Sequence, residues 1–341
     1  MLKTTFIFFF LAVTSFFLNL IWSSVPYAAQ VPILEFSAKQ MPQKEVSKTT
    51  ASRGECVILG KRGNISSIKT RPSKYYSGSS WLPNVRKKIS SKSAIIIDAE
   101  TGKTLFSKQA DTPRQPASTI KVLTGMIALK SLEKNEWVSV SRHASRMPRS
   151  KIYLETKKQY KANDLINAVL LASANDASVA LAEKIAGRES DFAEMMTLRA
   201  KLWGAKNTVC RTASGLTAKG QHSTARDLAL IFRHAMQDEE FLNRMKKEKV
   251  RTSYGKILRS HNKALWRIDG AEGGKTGYTR AARQTYVGQF SRDEGSIVVA
   301  IMGSETMWTD IKNLVDYGFA RKKQLAGKKP AGKSEKVALA N

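Results

Sequence analysis

The alternation of hydrophobic and polar positions divides the chain from residue 89 to 320 into three stretches. β-branched residues at Ser93–Asp98 and 104–107 flank a glycine-containing turn and predict two paired strands. Apolar residues then recur every three to four positions through a long middle stretch, which predicts consecutive helices. Alternation returns at 284–290 and 296–303, and the polar segment 291–295 between them predicts a hairpin turn.

The helical stretch carries several start signals. Ser118 stands at the head of an apolar run, while Asp191 with Glu194 and Thr224 with Asp227 have the spacing of helix N-caps. A last helix is expected after the second group of strands. Its inward residues are predicted to be Ile311, Leu314, Val315 and Phe319.

These elements predict an α/β fold of the segregated (α+β) kind over residues 89–320. Because strands precede and follow the helices, the early and late strands are expected to pair in one antiparallel sheet. Helices should cover both faces of this sheet, with a helical subdomain inserted between the two groups of strands. We find no internal repeat, and the length suits one large hydrophobic core.

The amino terminus predicts export. Residues 1–29 contain Lys3 followed by an apolar run from Phe6 to Trp22, which is typical of a signal peptide or of an N-terminal membrane anchor. Ala28 and Ala29 provide small residues for cleavage, but the residues before them suit a signal peptidase less well. We therefore expect an exported, periplasmic or envelope-associated protein and leave cleavage and anchoring as alternatives.

Charge is concentrated outside the predicted domain. The net charge is +29, and residues 30–88 hold twelve Lys and Arg against three acidic residues. This segment and the tail 321–341 lack apolar periodicity, so we expect a basic flexible spacer, with one short strand at 56–59, and a disordered tail. Such ends attract polyanions. No nucleic-acid-binding motif is present, so anionic wall polymers or a membrane surface are the expected partners.

Cysteines and histidines indicate little metal chemistry. The four histidines and two cysteines have no metal-ligand spacing, so we expect no metal and no cofactor. Each histidine is interpreted as a surface or core residue. Cys56 and Cys210 would meet oxidising conditions after export, where a disulfide between them is one option.

The pair Ser118 and Lys121 is the first candidate for catalysis. Three positions apart on a helix, the two side chains lie on the same face. A neutral lysine is able to take the proton of a serine hydroxyl, and burial or nearby positive charge lowers the lysine pKa enough to make it neutral. Alone, the pattern is weak, because it arises by chance in lysine-rich chains.

Two later motifs change this interpretation. Ser173-Ala174-Asn175 lies between two predicted helices, and Lys275-Thr276-Gly277 follows two glycines and precedes a predicted strand. Separately, each fits a helix cap or a turn with a solvated lysine. In this order, after Ser118 and Lys121, they match the motif set of penicillin-binding proteins and serine β-lactamases.

Longer segments resemble the low-molecular-mass D-alanyl-D-alanine carboxypeptidases. The similar segments are 171–183, 214–216, 222–228 and 273–277. The resemblance covers about residues 89–320 and implies a β-lactamase/transpeptidase-like fold, without the additional β-rich domain that several members carry. It also implies a cell-wall enzyme that acts on peptidoglycan stem peptides, contributes to cell shape and is acylated by penicillins.

The resemblance implies a role for each motif residue. Ser118 would be the nucleophile and Lys121 its base, while Ser173 would pass a proton to the leaving amine. A second group of residues would bind the substrate. Asn175 would bind an amide of the acyl chain, and Lys275 with Thr276 and Gly277 would bind the carboxylate. The N–H of Tyr278 would form the oxyanion hole together with the N–H of Ser118. Lys275 would also lower the pKa of Lys121.

One departure leaves the substrate open. Many relatives have an arginine near Gly303 that helps to bind the terminal carboxylate, whereas this chain has Glu305, with Arg280 or Arg283 as replacements. A D-alanyl endopeptidase therefore stays an alternative. A class A-like β-lactamase is a second, although 210–221 lacks the glutamate pattern it needs. A catalytically idle, wall-binding protein is the third.

Overall fold

A computed structural model of the protein describes residues 84–327. Its strands are β1 (Ser93–Asp98), β2 (Thr104–Lys108), β3 (Trp137–Ser139), β4 (Gln159–Lys161), β5 (Lys249–Arg251), β6 (Ile257–Arg259), β7 (Ala271–Thr279), β8 (Arg283–Arg292) and β9 (Gly295–Ser304). Its α-helices are α1 (Lys121–Ser131), α2 (Arg142–Ser145), α3 (Ala162–Leu170), α4 (Asn175–Ala186), α5 (Glu189–Leu202), α6 (Ala225–Ala235), α7 (Glu239–Met245), α8 (Ala264–Arg267) and α9 (Met307–Ala326). Short 3₁₀ segments at Val85–Lys88 and Ala117–Ile120 precede β1 and α1.

The main sheet is antiparallel and has the strand order β2-β1-β9-β8-β7. β1 pairs with β9, with Ile95 opposite Ala300, so the predicted pairing of early and late strands is confirmed. The β8–β9 hairpin turns more tightly than expected, because Arg292 is already paired with Gly295. β7 lies at an edge of this sheet, and it is the strand that reaches the catalytic motifs.

Two hydrophobic layers hold the sheet. Ile95 and Ile97 of β1 are buried against the helical part of the molecule, and Ile96, between them, is buried with Phe319 of α9 on the other face. Alternate residues of a strand point to opposite faces, which is why one short run of isoleucines joins both layers. Each such side chain stabilises the fold by about 1.5–3 kcal/mol. Helices therefore cover both faces, as predicted.

The helical subdomain lies between β2 and β7 and contains α1 to α7. Thr224 caps α6 by accepting a hydrogen bond from the Asp227 N–H, as its spacing predicted. The helix predicted from Asp191 is present as α5, but its predicted start was wrong, since it begins at Glu189 and Asp191 instead pairs with Arg188. The sequence also gave no sign of β3 to β6, because three-residue strands are too short to show alternation.

The folded domain is wider than residues 89–320. Val85 is buried in the layer that contains α9, so the part of the predicted spacer from residue 84 onward belongs to the domain. At the other end α9 continues through Ala326, and Lys322 is mostly buried. Residues 1–83 and 328–341 lie outside the described residues. These ranges include the predicted strand at 56–59 and the Cys56 half of the proposed disulfide.

No helix within residues 84–327 is long and apolar enough to cross a membrane. In the same part of the chain, no three side chains of His, Cys, Asp or Glu are grouped to hold a metal ion. Cys210 is buried, and this burial raises the pKa of its thiol to about 12.

Candidate active site

Ser118 lies in the 3₁₀ turn Ala117–Ile120, directly before α1, rather than inside the helix. In a 3₁₀ turn, side chains three positions apart are eclipsed, which brings Ser118 over Lys121. The turn is held from outside, because Thr285 of β8 donates a hydrogen bond to the Pro116 carbonyl at 3.0 Å. Ala117 has a φ of +50°, a left-handed conformation that is unfavourable for a residue with a side chain.

Close backbone contacts fix the position of this turn. A Cβ on Gly215 would stand 2.1 Å from the Ala117 carbonyl oxygen, and a Cβ on Gly277 would stand 2.7 Å from the Ser118 nitrogen. Only glycine permits such an approach. The loop that carries Gly215 and the edge strand β7 therefore enclose the nucleophile, and β7 runs beside the Ser118 amide.

Lys121 is completely buried, and its Nζ has three polar neighbours. Nζ lies 3.0 Å from Ser118 Oγ, 2.7 Å from Asn175 Oδ1 and 2.5 Å from the Ser214 carbonyl oxygen. A neutral amine has two N–H donors and one lone pair. The two obligate acceptors use both donors, so the lone pair is left for the hydroxyl proton of Ser118.

The protonation state of Lys121 follows from its surroundings. Burial, and then the positive charge of Lys275, lower its pKa well below the usual value, although Asp176 and Glu189 act in the opposite direction. Within residues 84–327 no carboxylate lies within 4.0 Å of its Nζ. The prediction that Lys275 lowers the pKa of Lys121 agrees with this result, with burial as the larger cause.

Lys275 is the second buried amine of the site and lies on β7 itself, whereas the sequence predicted that it precedes a strand. Its Nζ donates hydrogen bonds to Ser173 Oγ at 2.8 Å and to the Thr276 carbonyl at 3.0 Å. Burial lowers its pKa to about 7. An anionic ligand would raise that pKa again, so Lys275 is suited to bind a carboxylate as a cation.

Ser173 and Asn175 enter from the junction of α3 and α4. Ser173 is buried and has a φ of +58°, a strained conformation of the kind that often marks functional positions. Asn175 Oδ1 accepts a hydrogen bond from Lys121, while Nδ2 donates to the carbonyls of Pro148 and Arg149. The Asn175 side chain thus orients the base, and its predicted contact with a substrate amide stays a prediction.

The remaining predicted residues follow Lys275 along β7. Thr276 is partly exposed, Gly277 is buried beside the nucleophile, and the Tyr278 side chain is 59% exposed at the end of the motif. Thr279, one residue further, accepts a hydrogen bond from Thr217 at 3.2 Å, which joins β7 to the loop that carries Ser214. All predicted site residues are therefore brought together on the 3₁₀ turn Ala117–Ile120, the start of α1, the α3–α4 junction and β7.

Sequence reasoning missed several residues near the base. Ser214 contributes only its carbonyl, and Glu189 supports the same loop by accepting from the Ala213 N–H at 2.9 Å. Asp176 is buried and accepts from two backbone N–H groups of the preceding loop, at Ile152 and Leu154. Only the resemblance of 171–183 and 214–216 to the family pointed to Asp176 and Ser214, and neither was assigned a role.

His261 was interpreted as an ordinary histidine, but it lies close to both lysines. Its backbone N–H donates to the Leu171 carbonyl at 3.1 Å, two residues before Ser173. Although part of its surface is exposed, burial and then the charges of Lys275 and Lys121 lower its pKa to about 4. The imidazole is thus a neutral group at the rim of the site near neutral pH.

Arg283, one proposed replacement for the carboxylate-binding arginine, is already engaged. It forms a two-fold ion pair with Glu305, with atom separations of 3.0 and 2.5 Å. Both side chains are largely exposed. Arg280 is exposed too, and within residues 84–327 no carboxylate lies within 4.0 Å of it. The acid at 305 therefore holds one of the two candidate arginines.

Comparisons with known proteins agree with this geometry. The family model described as D-alanyl-D-alanine carboxypeptidase matches residues 82–306. The D-alanyl-D-alanine carboxypeptidase DacF of Bacillus subtilis is 29% identical over 248 residues, which are 67% of this chain and 62% of that protein. The D-alanyl-D-alanine carboxypeptidase DacB2 of Mycobacterium tuberculosis is 34% identical over 237 residues, which are 66% of this chain and 81% of that protein.

The fold has the same relatives. Penicillin-Binding Protein D2 from Listeria monocytogenes, solved in its ampicillin-bound form, is 29% identical with a TM-score of 0.62, over 68% of this chain and 98% of that one. The predicted β-lactamase/transpeptidase-like fold is confirmed by this likeness. Since the family model matches well over half of the sequence and the three motifs meet in one site, the chain belongs to the D-alanyl-D-alanine carboxypeptidase family of low-molecular-mass penicillin-binding proteins.

Proposed function

We propose that the protein is a serine-type D-alanyl-D-alanine carboxypeptidase that acts on peptidoglycan stem peptides through an acyl-enzyme on Ser118. The observation that carries this proposal is the 3.0 Å separation between Ser118 Oγ and the Nζ of Lys121, a lysine whose pKa burial lowers well below its usual value. Because the chain spans 62% of the length of one relative and 81% of another, the activity rests on the site as well as on the likeness.

In the acylation step Lys121 takes the Ser118 proton while Oγ attacks the carbonyl carbon between two D-alanines. The developing oxyanion is bound by the backbone N–H groups of Ser118 and Tyr278. In typical enzymes one such donor contributes about 2.7–4 kcal/mol. β7 runs beside the Ser118 amide, which supports the pairing of these two donors.

The leaving amine needs a proton when the peptide bond breaks. Ser173 is placed to deliver it, since its Oγ accepts from Lys275 and its own hydroxyl proton is free to move toward the substrate. The proton that Lys121 took from Ser118 then replaces the one that Ser173 gave up, so Lys121 is neutral again and the Ser173 hydroxyl is restored. The terminal D-alanine then departs, and an ester to Ser118 remains. Water attacks this ester with Lys121 as the base, which releases the shortened peptide and restores the serine.

Lys275 and Thr276 are proposed to bind the terminal carboxylate of the substrate. The anion would return Lys275 to its charged form, and the charge would hold Lys121 neutral at the same moment. Binding of the correct substrate end therefore helps to activate the base.

A labelled penicillin tests the proposed function. Penicillins contain a reactive amide, and the ampicillin-bound relative from Listeria monocytogenes supports their use here. A long-lived adduct mapped to Ser118, together with release of D-alanine from a peptide that ends in D-alanyl-D-alanine, is the expected result. Rapid penicillin turnover would indicate a β-lactamase instead, and an unlabelled, inactive protein would indicate an idle fold that binds the wall.

A D-alanyl endopeptidase is the second candidate function. It is favoured by the ion pair of Arg283 with Glu305, which occupies an arginine that would otherwise be available for a terminal carboxylate. Peptides with a free and an amidated terminal D-alanine separate the two activities. Preference for the free carboxylate supports the carboxypeptidase, and equal rates support the endopeptidase.

The basic ends are proposed to hold an exported enzyme at anionic wall polymers or at a membrane surface. Their charge motivates this proposal, since they contribute much of the net charge of +29. The structure changes the design of the test, because Val85 and Lys322 belong to the folded domain. Deletion of 30–83 or of 328–341 should reduce salt-sensitive binding to anionic vesicles or wall fragments and leave small-peptide hydrolysis intact. A deletion that abolishes peptide hydrolysis would contradict it.

A further inference from the structure

The β5–β6 hairpin presents a basic face with no acidic partner. Lys249 is paired with Arg259, and Arg251 with Ile257, and all four side chains are exposed. Like charges directly opposite each other destabilise a strand pair. Within residues 84–327 no carboxylate lies within 4.0 Å of any of these three cations, whereas solvated surfaces usually mix charges of both signs.

An exposed aromatic residue lies next to this hairpin. Tyr153 is 56% exposed and has a φ of +61°, a left-handed conformation that is unfavourable for a tyrosine. The Nζ atoms of Lys151 and Lys256 lie 5.4 and 5.5 Å from the centre of its ring. Lys256 also donates to the Ile152 carbonyl at 2.6 Å, which joins the hairpin to the loop of Tyr153.

The loop of Tyr153 is anchored on the catalytic centre. Asn175 donates to the carbonyls of Pro148 and Arg149 on one side of it. Asp176 accepts from the N–H groups of Ile152 and Leu154, the two residues that flank Tyr153. One side chain, that of Asn175, therefore links this loop to the base Lys121.

The hairpin also leads into the site along the chain. β6 ends at Arg259, and two residues later the backbone N–H of His261 donates to the carbonyl of Leu171. His261 also lies near Lys275 and Lys121. The exposed basic face is thus continuous with the rim of the active site. This basic face is therefore a candidate wall for a polymeric substrate whose end reaches Ser118.

We propose that this wall is a subsite for the carboxylate-bearing part of the peptidoglycan strand whose D-alanyl end is cleaved at Ser118. We call it the basic hairpin surface, and it consists of Lys151, Tyr153, Lys249, Arg251, Lys256 and Arg259. Ammonium and guanidinium groups bind carboxylates, and the face of a tyrosine ring provides a flat contact for the peptide or sugar between them. The proposal rests on the proposed carboxypeptidase function and adds the part of the substrate that is recognised away from the scissile bond.

Two peptides test the proposal. One is a neutral, N-acylated peptide that ends in D-alanyl-D-alanine, and the other is the same peptide extended at its amino end by three glutamates. Exposed ion pairs contribute about 0.2–1 kcal/mol each. Replacing Lys249, Arg251 and Arg259 by Gln should therefore lower the kcat/KM ratio of the acidic to the neutral peptide by about three- to a hundredfold, mainly through KM.

The matched control removes three exposed lysines from other parts of the surface. Lys103→Gln, Lys201→Gln and Lys206→Gln change the net charge by the same amount, and all three side chains are exposed. The ratio should stay close to that of the wild type in this control. An equal fall in both triple variants would mean that only the overall charge matters and would overturn the subsite. Tyr153→Asn, a residue type that tolerates the left-handed conformation, tests the ring separately and should also lower the ratio.

Thermal unfolding shows whether the triple variant has a folding defect. Because the triple variant removes like-charge contacts, its midpoint should equal or exceed that of the wild type. If it falls, the single variant Arg259→Gln replaces it, with an expected loss of about two- to fivefold in the same ratio. Cleavage of both peptides with an unchanged ratio overturns the subsite alone, whereas a wild-type protein that cleaves neither peptide overturns the proposed function and the subsite with it.

Discussion

Two regions within residues 84–327 contain lysines with little or no solvent exposure, and they differ in whether a carboxylate lies beside the lysine. Lys322 of α9 has an 11% exposed side chain and lies 2.9 Å from Asp98, so its charge is neutralised. Lys121 and Lys275 are buried at the active site, and within residues 84–327 no carboxylate lies within 4.0 Å of either of them. A buried cation without a partner is costly, and it reduces the cost by losing its proton.

The difference separates stability from reactivity. At Asp98 burial by itself would raise the pKa, but hydrogen bonds from Lys322 and Thr101 outweigh it, and the pKa lies below its usual value. At the site, burial lowers the pKa of Lys275 to about 7 and that of Lys121 well below its usual value. The paired lysine holds α9 to the sheet, and the unpaired lysines provide a base.

The largest expected effect comes from removing the Ser118 hydroxyl, from which the unpaired base Lys121 takes a proton. Ser118→Ala should abolish penicillin labelling and lower D-alanine release by at least about a thousandfold, because it removes the hydroxyl that lies 3.0 Å from the base Lys121. The fold should be retained, since the turn is held by backbone contacts and by Thr285. Labelling and mass spectrometry measure the adduct. An adduct that persists on another serine would sink the assignment.

The second prediction tests whether the two unpaired lysines act together. Since the charge of Lys275 lowers the pKa of Lys121, Lys275→Gln should raise that pKa and move the rising limb of the acylation rate to higher pH. The rate at neutral pH should fall by about tenfold or more, within the range that general bases contribute. Measurements at saturating substrate remove the binding contribution. A limb that does not move would make Lys275 a substrate ligand only.

The third prediction concerns the stability cost of an unpaired lysine. The folded pKa of Lys275 is about 7 and its unfolded value about 10.4, so the unfolded chain binds more protons between these two pH values. The stability of the wild type relative to Lys275→Met should therefore rise with pH across this window, by roughly 3–5 kcal/mol in total, and be lowest below pH 7. Denaturant unfolding at several pH values measures it. If the free energy of unfolding changed equally with pH in both proteins, the charge of Lys275 would not be the source of the stability cost.

The smallest effect is expected at the paired lysine. Lys322→Met leaves Asp98 without its ion pair and should lower the free energy of unfolding by about 1–3 kcal/mol at neutral pH, with catalysis unaffected. The pKa of Asp98 is depressed in the folded state, so the stabilisation is present above its unfolded pKa and disappears as the pH falls through the folded value. The variant should therefore lose less stability in acid than the wild type. A change in acylation rate would contradict the assignment of Lys322 to stability alone.

Prediction from sequence succeeded where the signal is local or repeats regularly. The isoleucines of β1, the inward face of α9 and the Thr224 cap all follow from spacing along the chain, and the structure confirms them. Prediction from sequence failed at the start of α5. Asp191 has the spacing of an N-cap residue, but it forms an ion pair with Arg188 and does not cap the helix. Prediction from sequence also placed Lys275 before a strand, because two glycines indicate a turn unless a neighbouring side chain fills their space. Here Tyr286 does so, since its hydroxyl would lie 2.3 Å from a Cβ on Gly274.

The sequence by itself determined which groups this protein has for catalysis. Ser118, Lys121, Ser173 and Lys275 are identified by their order and by the motifs around them. Only the tertiary structure decided what these groups are able to do. The pKa of Lys121 depends on burial by segments distant in the sequence and on the charge of Lys275, and its lone pair is left for Ser118 because Asn175 and the Ser214 carbonyl use its donors. Desolvation and three-dimensional neighbours carry no short-range signal along a chain, so no spacing rule was able to reveal them.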